Sequence, residues 1–402
     1  AKVYQAYPED ETKLFYALSI MGTIKEGDKG FERQGQAAKL LEEVFKNQPE
    51  HPGVLHYLVH VYDDPVHAEQ GLLAARRYST AAAAVPHALH MPSHIYTRLG
   101  YWNDSASTNE KAWTASENDV IKAGEKSTLR DFHSLNYLQY AYLQLGQFKK
   151  AHWALETISS EYESLADKKT AKDTPELQSR HVRGRTIYSL PDRIVYGYFD
   201  MLTRYFFEAK DWNAAQNIPL PVKSNDFLAV KLHLECIAAA HKGDASSSSN
   251  KARQLAVIAA QSGQHPFVKK ITMMMAKEAQ AYSALAAKNS DQAIDKMREA
   301  IQIEDSIDSL SQPPYPSIPA HELFGDLLMT LNRPKEAQVH YAETLKRTPN
   351  RPMAIFGSAN ASAAMGDKES ASKFYKQFLE LWNAADNDRP ELLIAKDYVA
   401  KN

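Results

Sequence analysis

The sequence predicts an all-α chain, a right-handed α-solenoid of about eight or nine helix hairpins with a concave groove. Three observations lead there. Helical periodicity recurs along nearly the whole chain, and strand-like alternation is almost absent. At 402 residues the chain is too long for one ordinary core. Short turn signatures recur at roughly the spacing of a ~34-residue helix-turn-helix repeat.

The repeats can be followed in order. A small residue early in a second helix, a large apolar one a turn later, another small one, then Pro, fits Ala37, Leu41, Val44 and Pro49. It fits again at Ala74, Tyr78, Ala81 and Pro86. A turn of LG, an aromatic and then a small residue appears as LGYWNDSA (99–106) and LGQFKKA (145–151). Degenerate versions are AKDWNAA (209–215), KNSDQA (288–293), LNRPKEA (331–337) and MGDKESA (365–371). Residues 114–130 and 158–192 read as polar inserts, and ASSSSN (245–250) as a flexible turn. QPPYPSIP (312–319) reads as an extended inter-repeat loop, because proline fixes φ and biases its predecessor away from helix. RPELLIAKDYVAKN supplies the capping helix that a solenoid end needs. The expected organisation is repeats over 1–157, an insert over 158–192 and further repeats with a cap over 193–402.

Composition narrows the function classes. The 47 basic residues nearly balance 49 acidic ones, which argues against a nucleic-acid partner recruited by net charge. No apolar run approaches the ~20 residues of a membrane span. The single cysteine, Cys236 in LHLECIAAA, excludes an internal disulfide and reads as a buried, inert thiol. Met273–Met275 and the aromatics Tyr205, Phe206 and Phe207 read as core filling. HExxH, GxSxG and Gly-rich phosphate-loop motifs are missing.

Two HxxxH pairs stand out. HPGVLHYLVHVYDDPVHA carries His56 and His60, and PHALHMPSHIYTRLG carries His90 and His94. Four residues apart on a helix is one face, one turn apart. On stacked helices the four imidazoles would converge and could hold a divalent transition metal, Zn, Cu, Ni or Fe. Asp63 and Asp64 precede Pro65 and read as an N-terminal cap, with Asp64 also a candidate general base. His51 reads as a turn residue and His67 as a contact to the preceding turn. Pro92 between the paired histidines predicts a kink that re-aims His94 relative to His90, or a helix that starts only at Ser93.

On these motifs the chain resembles tetratricopeptide-repeat proteins over essentially its whole length. More narrowly it is similar to a bacterial family carrying HPGxxHYxxHxYDDPxHA, then PHALHMPSHIxxRLG, then a later HEL-F/L-G stretch. The resemblance implies an often exported protein, hence a periplasmic leaning with the cytoplasm left open, and further sequence ahead of AKVYQAYPEDE. It attaches no reaction. It also implies that the second, fifth, ninth and thirteenth positions of each first helix face the groove. Those places hold His56, His60 and Asp64 in the second repeat. In the third they hold His87, His90, His94 and Arg98, and in the fourth His133, Asn136, Tyr140 and Gln144. In later repeats they hold Asp200, Arg204 and Glu208, then Glu322 and Asp326.

Three functions remain open on this reading. The first is a scaffold whose groove binds a peptide, protein segment or small ligand, with a histidine-rich, metal-capable site in repeats two to four. The second is a metal-dependent, hydrolase-like enzyme with Asp64 or Glu322 as base. The third is a purely structural adaptor.

Overall fold

A computed structural model describes residues 2–24, 30–81, 84–182, 185–188, 190–220, 224–261, 266–307 and 318–402, apart from 167–178. Among them the architecture is an α-solenoid of helix hairpins. The exceptions are one 3-10 turn and a two-stranded ladder, Ser179–Val182 with Arg185–Tyr188. The chain forms two compact units, 1–141 with 180–187, and 142–179 with 188–402.

The first unit stacks α2 (Asp10–Met21) on α3 (Glu32–Asn47) and α4 (Pro52–Val61) on α5 (Ala68–Ala81). The broken pair α6 (Pro86–His90) and α7 (Pro92–Leu99) then packs on α8 (Trp102–Ala123), and α9 (Phe132–Gln144) follows, its last residues 142–144 belonging to the second unit. The repeat pattern supplies the core. Ala37, Leu41 and Val44 from α3 and Val54, Leu55, Leu58 and Val59 from α4 are buried, each large apolar side chain contributing roughly 1.5–3 kcal/mol. Gly71 lets α5 approach closely: a Cβ there would sit 2.8 Å from Ile95 Cδ1. Gly100 ends α7 in the left-handed conformation, φ 68°, and lets Tyr101 N–H donate to the Tyr96 carbonyl.

The second unit packs α10 (Phe148–Ala166) on α11 (Leu190–Ala209). Four hairpins follow: α12 (Asn225–His241) with α13 (Ala245–Ala260), α14 (Pro266–Ala286) with α15 (Ser290–Asp305), α16 (Ala320–Thr330) with α17 (Pro334–Arg347), and α18 (Pro352–Ala364) with α19 (Lys368–Leu381). The helix α20 (Pro390–Lys401) packs on α19 at the end of this stack. The unit's two ends meet. Trp382 Nε1–H donates to the Gln144 carbonyl at 3.0 Å, Asp386 N–H to the Gly146 carbonyl at 3.0 Å, and Arg389 lies 4.0 Å from the Phe148 ring centroid.

Several local expectations change. ASSSSN is the first turn of α13 rather than a flexible turn, because the Asp244 carboxylate accepts from Ser247 N–H at 2.9 Å and caps the helix. Residues 114–123 and 158–166, expected in polar inserts, continue α8 and α10. The second helix expected around Ala215 does not form; residues 212–217 are turns and bends. Most of the PxxP stretch, 312–317, lies outside the described residues, as do 167–178 of the insert. Cys236 is fully buried against Ser248, and burial raises its thiol to about 11, in keeping with an inert thiol.

Candidate metal centre

Six histidines of the first unit meet in two groups of three: His56, His60 and His87, and His90, His94 and His133. Within each group the ligand-type nitrogens lie within 4.8 Å of one another. The local sequence explains the placement. His51 caps α4, its Nδ1 accepting from Gly53 N–H at 3.1 Å, and Pro52 occupies the first helical position. The core residues of α4 then leave His56 and His60 on the opposite stripe. Pro92 cannot donate a backbone hydrogen bond, so the third-repeat helix divides at Met91 and α7 restarts from Pro92.

The expectation of four histidines in one cluster is corrected. The two HxxxH pairs belong to different groups, His60 and His94 standing 6.2 Å apart by ring centroid. The reason is that each pair recruits its nearest imidazole from a neighbouring element. His87 approaches His56, Nε2 to Nε2 3.3 Å, and His133 of α9 stands 4.6 Å from His90 by ring centroid. Both recruits had been placed on groove positions, so the signal was in the sequence.

In the inner, more buried group of His90, His94 and His133, the first two are held by fixed partners. Asn109 Nδ2–H donates to the Ser105 carbonyl at 2.8 Å, which turns Asn109 Oδ1 toward His90 Nδ1 at 2.7 Å. His94 Nδ1 faces Asp63 Oδ2 at 2.9 Å, and Arg98 Nε–H donates to Asp63 Oδ1 at 2.8 Å. Burial alone would raise the Asp63 carboxyl, but Arg98 and then His94 outweigh it and hold Asp63 far below the usual carboxylate range. Asn109 Oδ1 and ionised Asp63 can only accept. Both imidazoles must therefore donate through Nδ1, and neutral rings would leave both Nε2 atoms bare. Those two atoms face each other at 3.1 Å. Two lone pairs at that distance repel unless a cation, a proton or a metal ion, lies between them. A tetrahedral ion with ~2.0–2.1 Å bonds holds its nitrogens about 3.3 Å apart.

Electrostatics favour neutral rings at His90 and His56. Burial pushes His90 well below its ordinary value, with repulsion from His133 and His94 added. Partial burial, then His87 and His94, lowers His56 to about 4.

The two aspartates exchange their expected roles. Asp64 Oδ1 accepts from Val66 N–H at 2.8 Å and His67 N–H at 3.0 Å, and pairs with His67 Nδ1 at 2.9 Å. That commits Asp64 to the start of the next helix, while Asp63 serves the histidines. Arg98 is buried in its pair with Asp63, and Tyr140 is fully buried, edge-on to Trp102 at 5.5 Å. Neither offers a free groove surface, and Asn136 stays half-buried.

In the second unit the expected groove residues are held in pairs, one among themselves and the others with partners that the sequence did not mark. Arg204 joins Asp200 on α11. Arg351, fully buried, grips Glu322 through Nε and Nη2 and reaches Glu208 Oε1 from Nη1 at 2.9 Å. Asp326 accepts from Tyr341 at 2.7 Å and Lys210 at 3.2 Å. Sequence reasoning missed Asn109, Ser93, Tyr137 and Arg351. Ser93 Oγ lies 3.3 Å from His90 Nδ1, a local contact three residues along, while Tyr137 OH, 3.3 Å from His94 Nδ1, and Asn109 and Arg351 act through contacts set by tertiary packing.

No known family model matches the sequence, and no curated protein matches it. Solved structures offer distant likenesses. The human IFIT1 dimer with m7Gppp-AAAA is 13% identical over 94% of this chain and 72% of its own, TM-score 0.39. The apo form of the quorum sensor NprR from B. thuringiensis is 11% identical over 94% and 99%, TM-score 0.39. The P58(IPK) TPR domain is 11% identical over 98% of both chains, TM-score 0.27. Likeness at this level assigns no function.

Proposed function

We propose that this chain is a helical-repeat scaffold that binds a divalent transition metal ion at His90, His94 and His133 and presents it to a peptide segment or small ligand. One observation carries the reading: the 3.1 Å approach of two Nε2 atoms whose rings are both committed to donate through Nδ1. A carboxylate or amide behind each ligand histidine is the usual support of a metal site, since it fixes the tautomer and the ring direction. Three histidines also leave the fourth tetrahedral position open, the arrangement of exchangeable and catalytic zinc. The His133 side reaches solvent, so a ligand can approach there.

Elemental analysis of the full chain, purified without an affinity tag from metal-replete medium, tests this. The expected result is at least one equivalent of a transition metal. One equivalent should be lost in the His94→Ala, His133→Ala double variant with helicity unchanged. A metal-free wild type defeats the proposal. A double variant that unfolds leaves the histidines a structural role.

The open position also favours a second reading, metal-assisted hydrolysis, since a bound water can have a pKa near ~7. Neither proposed base supports it. Asp64 is occupied by His67 and backbone N–H groups, and Glu322 by Arg351. Hydrolysis would need a base from the ligand or from solvent.

A further inference from the structure

We infer that His56, His60 and His87 form a second, exchangeable metal centre that fills after the inner one. The inference rests on the proposal above that the inner group binds metal. The nitrogens converge as ligands do: His56 Nε2 stands 3.0 Å from His60 Nε2 and 3.3 Å from His87 Nε2. The longer spacing matches the edge of a tetrahedral site and the shorter lies just under it. The His56 ring is also held in place from the side, stacking on Tyr78 at 5.6 Å and on Tyr57 at 5.5 Å.

The two groups differ in what their protons can do. In the inner group both facing nitrogens are stripped of protons by partners behind them, so the pair is satisfied only around a cation. In the outer group no partner fixes the tautomers in this way, and His60 and His87 can share the single lone pair of His56 Nε2 as donors, so the group does not require a cation. Binding there first requires His60 and His87 to move their protons to Nδ1, which weakens the outer centre. His60 and His87 are exposed, which eases both entry and release of an ion. The centres are also close, His60 to His94 6.2 Å and His87 to His90 6.4 Å by ring centroid. Two dications at such separations repel, which weakens the second to bind by about tenfold or more. One scaffold would then keep one ion and exchange the other.

Zn2+ alone, titrated into metal-stripped full chain by calorimetry and equilibrium dialysis, is the test. Wild type should take two equivalents in two phases, at least about tenfold apart in affinity. His87→Ala should lose only the weak phase, as should His60→Ala. His133→Ala should lose the tight phase. Both His87 and His133 are exposed, so the core is untouched. A single equivalent that survives His87→Ala and His60→Ala but not His133→Ala overturns the second centre and leaves the proposed function standing. A single equivalent abolished by any of the three variants means one shared site, and also overturns it. No uptake at all defeats both.

Discussion

Asp63 and Asp64 are neighbours of identical chemistry, and their separation of roles shows where residue-level reading stops. The DDP sequence marks a cap but cannot say which carboxylate the turn aims at backbone N–H groups and which it aims at His94. Asp63→Asn keeps the shape and removes the charge that fixes the His94 tautomer. Zinc affinity should fall about 10–100-fold, as for other second-layer partners of metal ligands. An unchanged Zn2+ isotherm would deny Asp63 that positioning role. A different carboxylate sets a pH dependence. Glu304 is buried, and burial, with the Glu278 charge on α14, raises it from 4.5 to about 7 despite Arg347 of α17 and the N–H groups of Ala320 and His321. A raised acid favours the protonated fold, so its stability contribution is complete below about 4.5 and fades as pH rises through 7. Between these limits wild type should lose about 3 kcal/mol more stability than Glu304→Gln. Urea unfolding at pH 4.5 and 8 measures it, and parallel losses would refute it.

Elements were more legible than sites. The small-large-small pattern gave α3 and α5 their buried faces at Ala37, Leu41, Ala74 and Tyr78, because packing two helices needs that volume alternation wherever they lie. Two kinds of element escaped. The serine run 246–249 looks like a linker by composition, yet one Asp244 cap outweighs it, since serines in a first turn cost little helix propensity. The stretch after α11 has repeat-like residues but turns instead, with Lys210 and Asn217 at positive φ, and Ala215 buried without a helix around it. The turn at Gly146 tests the opposite case, where sequence and structure agree. Its φ is 69°, and an added Cβ would lie 2.7 Å from both Ala385 Cβ and the Trp382 ring. Gly146→Ala should cost about 2–4 kcal/mol, combining left-handed strain and overpacking. Thermal melting reports it, and a loss under about 1 kcal/mol would show that the turn yields.

For the whole molecule, the all-α hairpin class was evident from periodicity alone, whereas the pairing of distant residues within a unit was not, because it depends on packing. Glu208, Glu322 and Arg351 sit on separate elements, and only the closed second unit brings them together. Arg351→Met would leave two buried carboxylates without their cation and should destabilise that unit by about 3–5 kcal/mol. Repeat arrays are stabilised by local and nearest-neighbour terms, so Zn2+ stoichiometry in the first unit should stay unchanged. A variant that loses zinc as well as stability would show long-range coupling instead. The bond from Trp382 to the Gln144 carbonyl joins residues 238 apart in sequence. Contacts of that separation form late in folding, after the local hairpins exist. An open-ended stack sheds protection from its ends, where outer helices fray and exchange their amide hydrogens. Because the residues that follow α19 are latched to the turn before α10 and to its first turn, α10 is not such an end and α19 is held beyond its own hairpin. Amide exchange in both should wait for the latch itself to open, so the slowest contact to form sets the tempo at which this unit breathes.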